Sequence, residues 1–582
     1  MTGREQTEIE RKYDVADGSQ VPPLQGIRGV TAVETHDPFT LTAVYYDTGT
    51  RDLARHRIVL RRREGGSDAG WHLKTPADEG RTEVHWPLDI GQTGETGESG
   101  EPGDAGTVPD EVLEPVRAIV RDRALTPLAR ISTVRTTTHL LGSDAEPLAE
   151  VADDEVAASD ARGGTYRKWR EWEVELLAGA PDTRKERTRL LDAVEATLAA
   201  AGAHPSASVA KIARAVGVDS LTDLAVSPVL PGLLPSPALL DPESAAVIVV
   251  GALRDLTATL IANDPLARAD APDAVHKMRT TVRRLRSVLA VYGRLFEKTA
   301  VTELRFELKH LGIELGRVRD VEVRRARLAA ELAAAAPHST VDADIRLVGG
   351  ARREHAEALD GVRGYLLSTR YYRTLDALDA FAEWPPFGPK AGRPAAAEIR
   401  RDLAGAVRTL AKRTDAVAGA DAPEPALHEV RKAARRLRYA AEAVAQAQPV
   451  RLEPDISATK KTAKKAARKS AKAFDKAAAR FDELRGRYDD IAGVAKPLVK
   501  RLGDRRDRQL LLEEVERAGQ TAHEAGENTL VYGLLLARTE EPDDTVDVVL
   551  ADVRKTLRRL EKMVRSLWPR RRAGAVSPAP GR

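Results

Sequence analysis

Carboxylates and cations recur at every second position through the first third of the chain. Glu8, Glu10 and Lys12 form one such set, and Arg61 with Arg63, His72 with Lys74, and Arg81 with Glu83 form others. Glu150 and Asp154 continue the pattern, as do Glu171, Glu173 and Glu175. Residues two apart share one face of a β-strand. Carboxylate oxygens on such a face can hold a hard divalent cation, and Arg and Lys on another can hold phosphate oxygens bridged to it. Half-buried strands ordinarily turn their charges to water. Eight strands whose charged faces differ in sign fit better a sheet closed on itself, with those faces lining the interior.

A second constellation has helical spacing. In Ala274–Tyr292, AVHKMRTTVRRLRSVLAVY, His276, Arg279, Arg283 and Arg286 fall within an arc of about 80°. Val275, Met278, Val282, Leu285 and Leu289 fill the adjoining apolar arc. The row returns in Ala426–Val444 as His428, Arg431, Arg435 and Arg438. Around Lys309 and Arg319 the pattern K…LGxxRD returns around Lys496 and Arg506. The repeat indicates a duplication. A solvated helix face usually alternates sign to gain i,i+4 pairs. Neither arc carries an acid, so an anion is expected to offset the cations.

These residues require two kinds of scaffold. Strands are expected at Glu8–Val15, Thr40–Asp47, Arg57–Glu64, Gly70–Thr75, Arg81–Leu88, Ile131–Leu141, Pro147–Val156 and Arg167–Leu177. Gly91–Gly106 reads as a loop, Pro109–Asp122 and Thr183–Ala201 as helices. From Glu243 the period changes to three and four. Helices are expected at Glu243–Ala262, Asp273–Phe296, Val301–Ala335, Val341–Tyr365 and Tyr371–Ala382. A second series comprises Ala395–Asp415, Glu424–Ala447, Ser457–Leu484, Tyr488–Ala518, Ala522–Ala537 and Thr545–Trp568. The fold class is therefore α+β and multidomain. It comprises an eight-stranded antiparallel barrel over 1–215, a proline-rich linker over 216–241 and an all-α unit over 242–569. The all-α unit divides into repeats of about 242–385 and 395–568, and 570–582 forms a basic tail.

Composition narrows the function. A chain of 582 residues with 31% charged residues and a net charge of only +3 is basic in regions, which excludes a general nucleic-acid coat. With no cysteine there is no disulfide, thiolate metal site or cysteine nucleophile. No apolar h-region opens the chain, and the most apolar stretch, Ala245–Leu253, is short for a membrane span, so a cytoplasmic protein is expected.

EIERK at Glu8–Lys12, YYDT at Tyr45–Thr48, LRRRE at Leu60–Glu64, WHLKTP at Trp71–Pro76 and EWEVEL at Glu171–Leu176 resemble, in order, the CYTH family of triphosphate tunnel metalloenzymes. The resemblance runs to SVAKIARAV at Ser208–Val216. One departure is His56, at or near which the family commonly carries glycine. The resemblance implies an eight-stranded tunnel that hydrolyses or rearranges triphosphates with Mg²⁺ or Mn²⁺. Glu8 and Glu10, with Asp154, Glu171 and Glu173, would be the metal and water-positioning carboxylates. Arg61, Arg63, Lys74, Arg81 and Arg135 would bind the triphosphate, and Lys12 would hold phosphate or assist the attacking water.

The doubled histidine motif resembles the CHAD domain, which implies paired four-helix bundles presenting a basic surface to inorganic polyphosphate. His276, Arg279, Arg283, Arg286, Lys309 and Arg319 would contribute from one half. His428, Arg431, Arg435, Arg438, Lys496 and Arg506 would contribute from the other. The expected function is metal-dependent hydrolysis of a triphosphate, with inorganic tripolyphosphate favoured, coupled to polyphosphate binding and, with it, residence on polyphosphate granules. The alternatives are a non-enzymatic polyphosphate-binding protein, a nucleotide cyclase and a thiamine triphosphatase. A nucleic-acid partner is disfavoured by the 4% aromatic content. The second repeat carries a lysine-rich insertion, Thr459–Arg480, that reads as a helix with either a solvated face or extra anion-binding capacity.

Overall fold

The computed structural model describes residues 3–91, 107–161, 164–206, 210–218, 244–335, 341–447, 460–539 and 545–567. Most of the expected loop at Gly91–Gly106, most of the 216–241 linker, most side chains of the lysine-rich segment and the 570–582 tail lie outside the described residues. The chain divides into two units, Met1–Gly232 and Leu233–Arg582.

The first unit is a curled antiparallel sheet. Its strands are β1 (Arg4–Glu8), β2 (Glu10–Val15), β3 (Ala32–Thr35), β4 (Phe39–Thr48), β5 (Val59–Glu64), β6 (Gly70–Pro76), β7 (Arg81–Trp86), β8 (Leu125–Leu141), β9 (Pro147–Asp160), β10 (Tyr166–Leu176) and β11 (His204–Pro205). They lie in the order β1-β7-β6-β5-β4-β8-β9-β10-β2-β11, with β3 on β8. β1 and β2 are separated by Ile9 alone, yet sit far apart in that order, so one run of chain pairs with β7 through its first half and with β10 through its second. The Ile9 carbonyl accepts from Leu176 N–H at 3.0 Å across this break.

All eight expected strands are present. β1, which lies ahead of the expected start at Glu8, and the short β3 and β11 were not anticipated. Pro109–Asp122 is not one helix: Pro115 lacks the N–H that a continuous ladder needs, and two single turns flank it. A short helix at Asp52–Arg55 is followed by Arg57 at φ 58°, a left-handed conformation that glycine adopts without a Cβ penalty. That conformation explains why glycine suits the neighbourhood of His56.

The outer face of the sheet packs on helix α1 (Arg184–Ala200), which Thr183 caps by accepting from the Glu186 backbone N–H. Tyr13, Trp172 and Val174 meet Leu190, Leu191, Val194 and Leu198 there. Each buried Leu or Val stabilises the layer by about 1.5–3 kcal/mol. Because neighbours alternate, burying Trp172 and Val174 outward turns Glu171, Glu173 and Glu175 inward. A second cluster seats the short helix α2 (Lys211–Val216), where Ile212 and Ala215 pack with Tyr45, Val59 and Ile131.

The second unit is helical: α3 (Ala245–Arg268), α4 (Ala274–Tyr292), α5 (Lys298–Ala334), α6 (Gly350–Leu366), α7 (Thr369–Glu383), α8 (Ala395–Asp415), α9 (Pro423–Gln446), α10 (Lys460–Glu524), α11 (Leu530–Thr539) and α12 (Val546–Ser566). α3 continues well past the apolar stretch read from sequence. It is long and apolar enough to cross a membrane by length and composition, and 72% of its most apolar window is buried inside this unit. The helix expected at Val341–Tyr365 is interrupted by a wide turn at Ile345–Gly349. The two helices expected between Ser457 and Ala518 are one, because Tyr488, Ile491 and Ala495 continue a single buried stripe. The helix expected to start at Ala522 starts instead at Leu530. Gly526, at φ 72°, ends α10, and the Asn528 side chain accepts from the Leu530 N–H at 2.9 Å.

Candidate functional site

Inward alternation from the strands of the first unit produces a cavity of about 460 Å³. Of the residues anticipated for the substrate and metal groups, Glu8, Glu10, Lys12, Arg61, Arg63, Lys74, Arg81, Arg135 and Glu173 line it, and Asp154 and Glu171 do not. Antiparallel register sets the neighbours: Glu173 faces Lys12, Glu175 faces both Glu10 and Glu150, and Arg135 faces Asp154. Opposed side chains on one face interact directly.

The anticipated carboxylates divide into groups. Asp154, Glu171 and Glu173 come together, each buried, with oxygens within 4.8 Å of one another. The Lys211 ammonium stands among them at 2.9, 2.7 and 2.6 Å. Arg135 forks onto Asp154, both bonds at 2.7 Å, and reaches Glu173 at 2.7 Å. Glu10 pairs with Lys12 at 3.0 Å, and Lys12 also bonds Glu173. Glu8 bonds Lys74 and belongs with Glu83, which sits 3.5 Å from both Lys74 and Arg61. His72 holds Glu83 through Nδ1 at 2.9 Å.

Burial costs a charged carboxylate its hydration, and neighbours decide whether it stays charged. Burial and a hydrogen bond to Glu83 push Glu8 up to about 8, while Glu83, despite burial, is held well below the carboxylate range by His72, Glu8, Lys74 and Arg61. Burial and the nearby Glu10, Glu173 and Glu150 raise Glu175 to about 6, with Lys74 opposing. Lys12 is pushed up to about 12: burial works against the ammonium, but Glu10 and Glu173 outweigh it. Burial and the neighbouring Arg61 bring Arg63 down to about 9.

Lys211, Glu83 and Glu175 were not among the residues anticipated for the site. Glu83 and Glu175 carried a signal, since each shares the period-two face of an anticipated residue. Lys211 carried none in its local spacing: it reaches the carboxylates from a helix remote in sequence.

An oxygen-only donor set suits a hard divalent cation. Asp154, Glu171 and Glu173, buried with ligand oxygens within 4.8 Å of one another, fit such an ion. Within the Asp154–Glu171–Glu173 group, a cation would share its ligands with the Lys211 ammonium.

In the second unit, α4 and α9 pack together, and Tyr292 Oη donates to the Ala440 carbonyl at 3.1 Å. Val275, Met278, Val282, Leu285, Val430 and Leu437 are buried. His276, Arg279 and Arg283 are half-buried, as are Arg431 and Arg435. Burial, then neighbouring Arg283 and Arg431, bring Arg435 down to about 10, and burial with Arg279 and Arg431 lowers Arg283. The rows therefore meet as one basic surface. The Nε atoms of Arg283 and Arg431 and Nδ1 of His276 are buried without a hydrogen-bond partner among the described residues. Gly316 and Gly503 make room: a Cβ there would lie 3.4 Å from Arg279 Nη2 and 3.3 Å from Arg431 Nη2.

Other members lie differently. Arg286 feels Arg305 and Arg436 more than its own row. Arg438 lies over the Tyr439 ring at 5.3 Å and near Glu442 at 3.7 Å. Arg279 engages Asp320 at 2.8 Å, supplying from α5 an acid that the arc itself lacks. Arg319 bonds Glu322 at 2.8 Å, and Arg506 bonds Gln509 at 3.5 Å. Lys309, Lys496 and His428 are exposed.

Comparison with known proteins gives the following. The CYTH domain family matches residues 6–201 and the CHAD domain family residues 251–466. An uncharacterized protein of Mycobacterium tuberculosis, Rv2226, is 35% identical over 579 residues, covering 96% of this chain and 97% of that one. Among solved structures, PptA from Streptomyces chartreusis is 18% identical, covering 56% of this chain and 99% of that one, with a TM-score of 0.37. The CHAD domain from the plant Ricinus communis is 22% identical, covering 56% and 97%, with a TM-score of 0.37. The PH1819 protein from Pyrococcus horikoshii is 17% identical, covering 34% and 92%, with a TM-score of 0.21.

Proposed function

The chain belongs to the proteins that join a CYTH domain to a CHAD domain, and on that premise we propose that it hydrolyses a triphosphate, inorganic tripolyphosphate foremost, inside an eight-stranded tunnel and binds inorganic polyphosphate on its helical half. The observation that carries this reading is one cavity lined by both kinds of group, Arg61, Arg63, Lys74, Arg81 and Arg135 with Glu8, Glu10, Glu173 and Glu175. A purely binding cavity gains nothing from acids beside a polyanion.

Arg61, Arg63, Arg81 and Arg135 would hold the phosphate oxygens, the guanidinium fork matching two oxygens at once. Their positive charge is already in place where negative charge spreads in phosphoryl transfer, so little reorganisation is needed. Lys12, raised to about 12, stays an ammonium at neutral pH and serves as a phosphate contact, not as a base. Glu175, raised to about 6, is mostly ionised at neutral pH and near the optimum for taking a proton from the attacking water. A bound Mg²⁺ or Mn²⁺ would supply Lewis-acid polarisation of the phosphoryl oxygens, with Glu8, Glu10, Asp154, Glu171 and Glu173 as the oxygens able to hold it.

Polyphosphate has charge along its whole length and no base edges, so charge and geometry must recognise it. The merged rows of Arg279, Arg283, Arg431 and Arg435 offer fixed guanidinium donors for this. The test is phosphate release from tripolyphosphate with Mg²⁺ or Mn²⁺ by the wild type and by the Glu8→Gln/Glu10→Gln variant. Release by the first and its loss in the second support the tunnel reading. No release by the wild type, with polyphosphate still bound, would leave a binding protein.

A further inference from the structure

In the first helical repeat, beside the basic row, Asp270, Glu322 and His355 converge, each offering a ligand atom within 4.8 Å of the others. They come from the turn between α3 and α4, from α5 and from α6. His355 is 8% exposed, and its Nε2 stands 3.6 Å from Glu322 Oε1 and 3.8 Å from Asp270 Oδ1. Both separations exceed hydrogen-bond reach. No hydrogen bond to the His355 ring is found among the described residues. The buried imidazole is thus paired with two carboxylates only at ion-pair distance, each oxygen standing farther off than a hydrogen bond. The spacing suits an ion in between: with bonds of about 2.0–2.2 Å, ligand atoms around a tetrahedral zinc stand about 3.4 Å apart.

The second repeat supplies a control. Arg319 and Glu322 there become Arg506 and Gln509, and Ala422 stands as far before His428 as Asp270 does before His276. A neutral amide is enough to hold the arginine in that repeat, so holding Arg319 does not account for the charge of Glu322.

We propose that Asp270, Glu322 and His355 bind a divalent cation of the borderline class, zinc foremost, which ties the α3–α4 turn to α5 and α6. An imidazole nitrogen in the donor set favours zinc over magnesium. Three protein ligands leave a position for water or an anion oxygen. Since Glu322 also holds Arg319, the ion competes for that carboxylate and frees Arg319 for the basic surface. The site stands whether or not the tunnel is a hydrolase and whatever the basic surface binds.

The experiment is calorimetric titration of the chelator-stripped full chain with Zn²⁺ in excess Mg²⁺, which saturates the oxygen-only sites. Wild type is compared with Asp270→Asn, His355→Gln and, as a control, Glu10→Gln. Asp270 sits at φ 55°, and asparagine tolerates that left-handed conformation, so Asp270→Asn preserves the turn. The expected result is one more equivalent of Zn²⁺ bound by wild type and by Glu10→Gln than by either site variant. Affinity at the site should fall at least 100-fold in those variants, beyond the 10–100-fold typical of losing an outer partner. Equal stoichiometry and affinity in all four proteins would overturn the proposal and leave a histidine–carboxylate ion pair. Should a variant fail to fold, the visible spectrum of the Co²⁺-loaded wild type decides. Intense tetrahedral bands support the site, and only weak octahedral bands overturn it.

Discussion

Both halves of the molecule bury cations, but they balance them differently. In the sheet unit, burial works against Lys12, Arg135 and Lys211, yet their carboxylate neighbours raise all three above their ordinary values. In the helical unit, burial lowers Arg283, Arg286 and Arg435, and neighbouring arginines lower them further. A locally matched cation organises the carboxylates around it and so builds a bipolar site. A cation stacked on other cations leaves positive potential directed outward, to be relieved by a ligand. Arg63, brought down to about 9 by burial and the neighbouring Arg61, is the sheet unit's exception. The contrast suits the proposed division, with chemistry in one half and capture in the other.

The largest expected break in this comparison is Glu10→Gln, which should cut phosphate release from tripolyphosphate by about 10²–10⁴-fold and leave polyphosphate affinity within about twofold. Next, Arg283→Ala/Arg435→Ala should weaken polyphosphate binding by at least tenfold, at about 1.5–3 kcal/mol per charged hydrogen bond lost, without changing release from tripolyphosphate. Equilibrium binding at several salt concentrations would also show a shallower salt dependence. Lys211→Ala strands Asp154, Glu171 and Glu173 without their shared ammonium. Breaking a buried pair this way costs about 3–5 kcal/mol, seen as a lower Tm that divalent cations partly restore.

Smaller effects follow from titration. Burial and adjacent cations hold His276 and His428 below the ordinary histidine value. A bound polyanion favours their protonated forms, so binding takes up protons and affinity should rise several-fold as pH falls from 8 to about 6. His276→Asn/His428→Asn should flatten that profile. For Glu8 the folded value of about 8 exceeds the unfolded one of 4.5. The folded state therefore holds the proton more tightly, and stability falls as pH rises between those values. Glu8→Gln should raise Tm at pH 8, by about 2–4 °C for each kcal/mol recovered, with the gain vanishing near pH 4.5.

Much of this was legible because alternation and helical spacing report which residues share a face. The eight strands, the two basic rows and most of the cavity lining follow from that rule alone. Contacts that cross between elements are not encoded in spacing, which is why Lys211 and the Asp320–Arg279 pair escaped. Neither could periodicity divide the carboxylates into the Glu8–Glu83 and Asp154–Glu171–Glu173 groups, since that division depends on strand register. The break at Ile9 likewise shows only in the pairing of β1 with β7 and of β2 with β10. Helix ends at Gly526 and Leu530 depended on a turn and a cap, where propensity is weakest.

The most direct measurement is phosphate release from tripolyphosphate and equilibrium polyphosphate binding, made side by side on wild type, Glu10→Gln and Arg283→Ala/Arg435→Ala. The account predicts that Glu10→Gln loses release and keeps binding, while the arginine pair loses binding and keeps release. If each variant lost both activities, or if release survived Glu10→Gln, the assignment of chemistry to the sheet and capture to the helices would be contradicted.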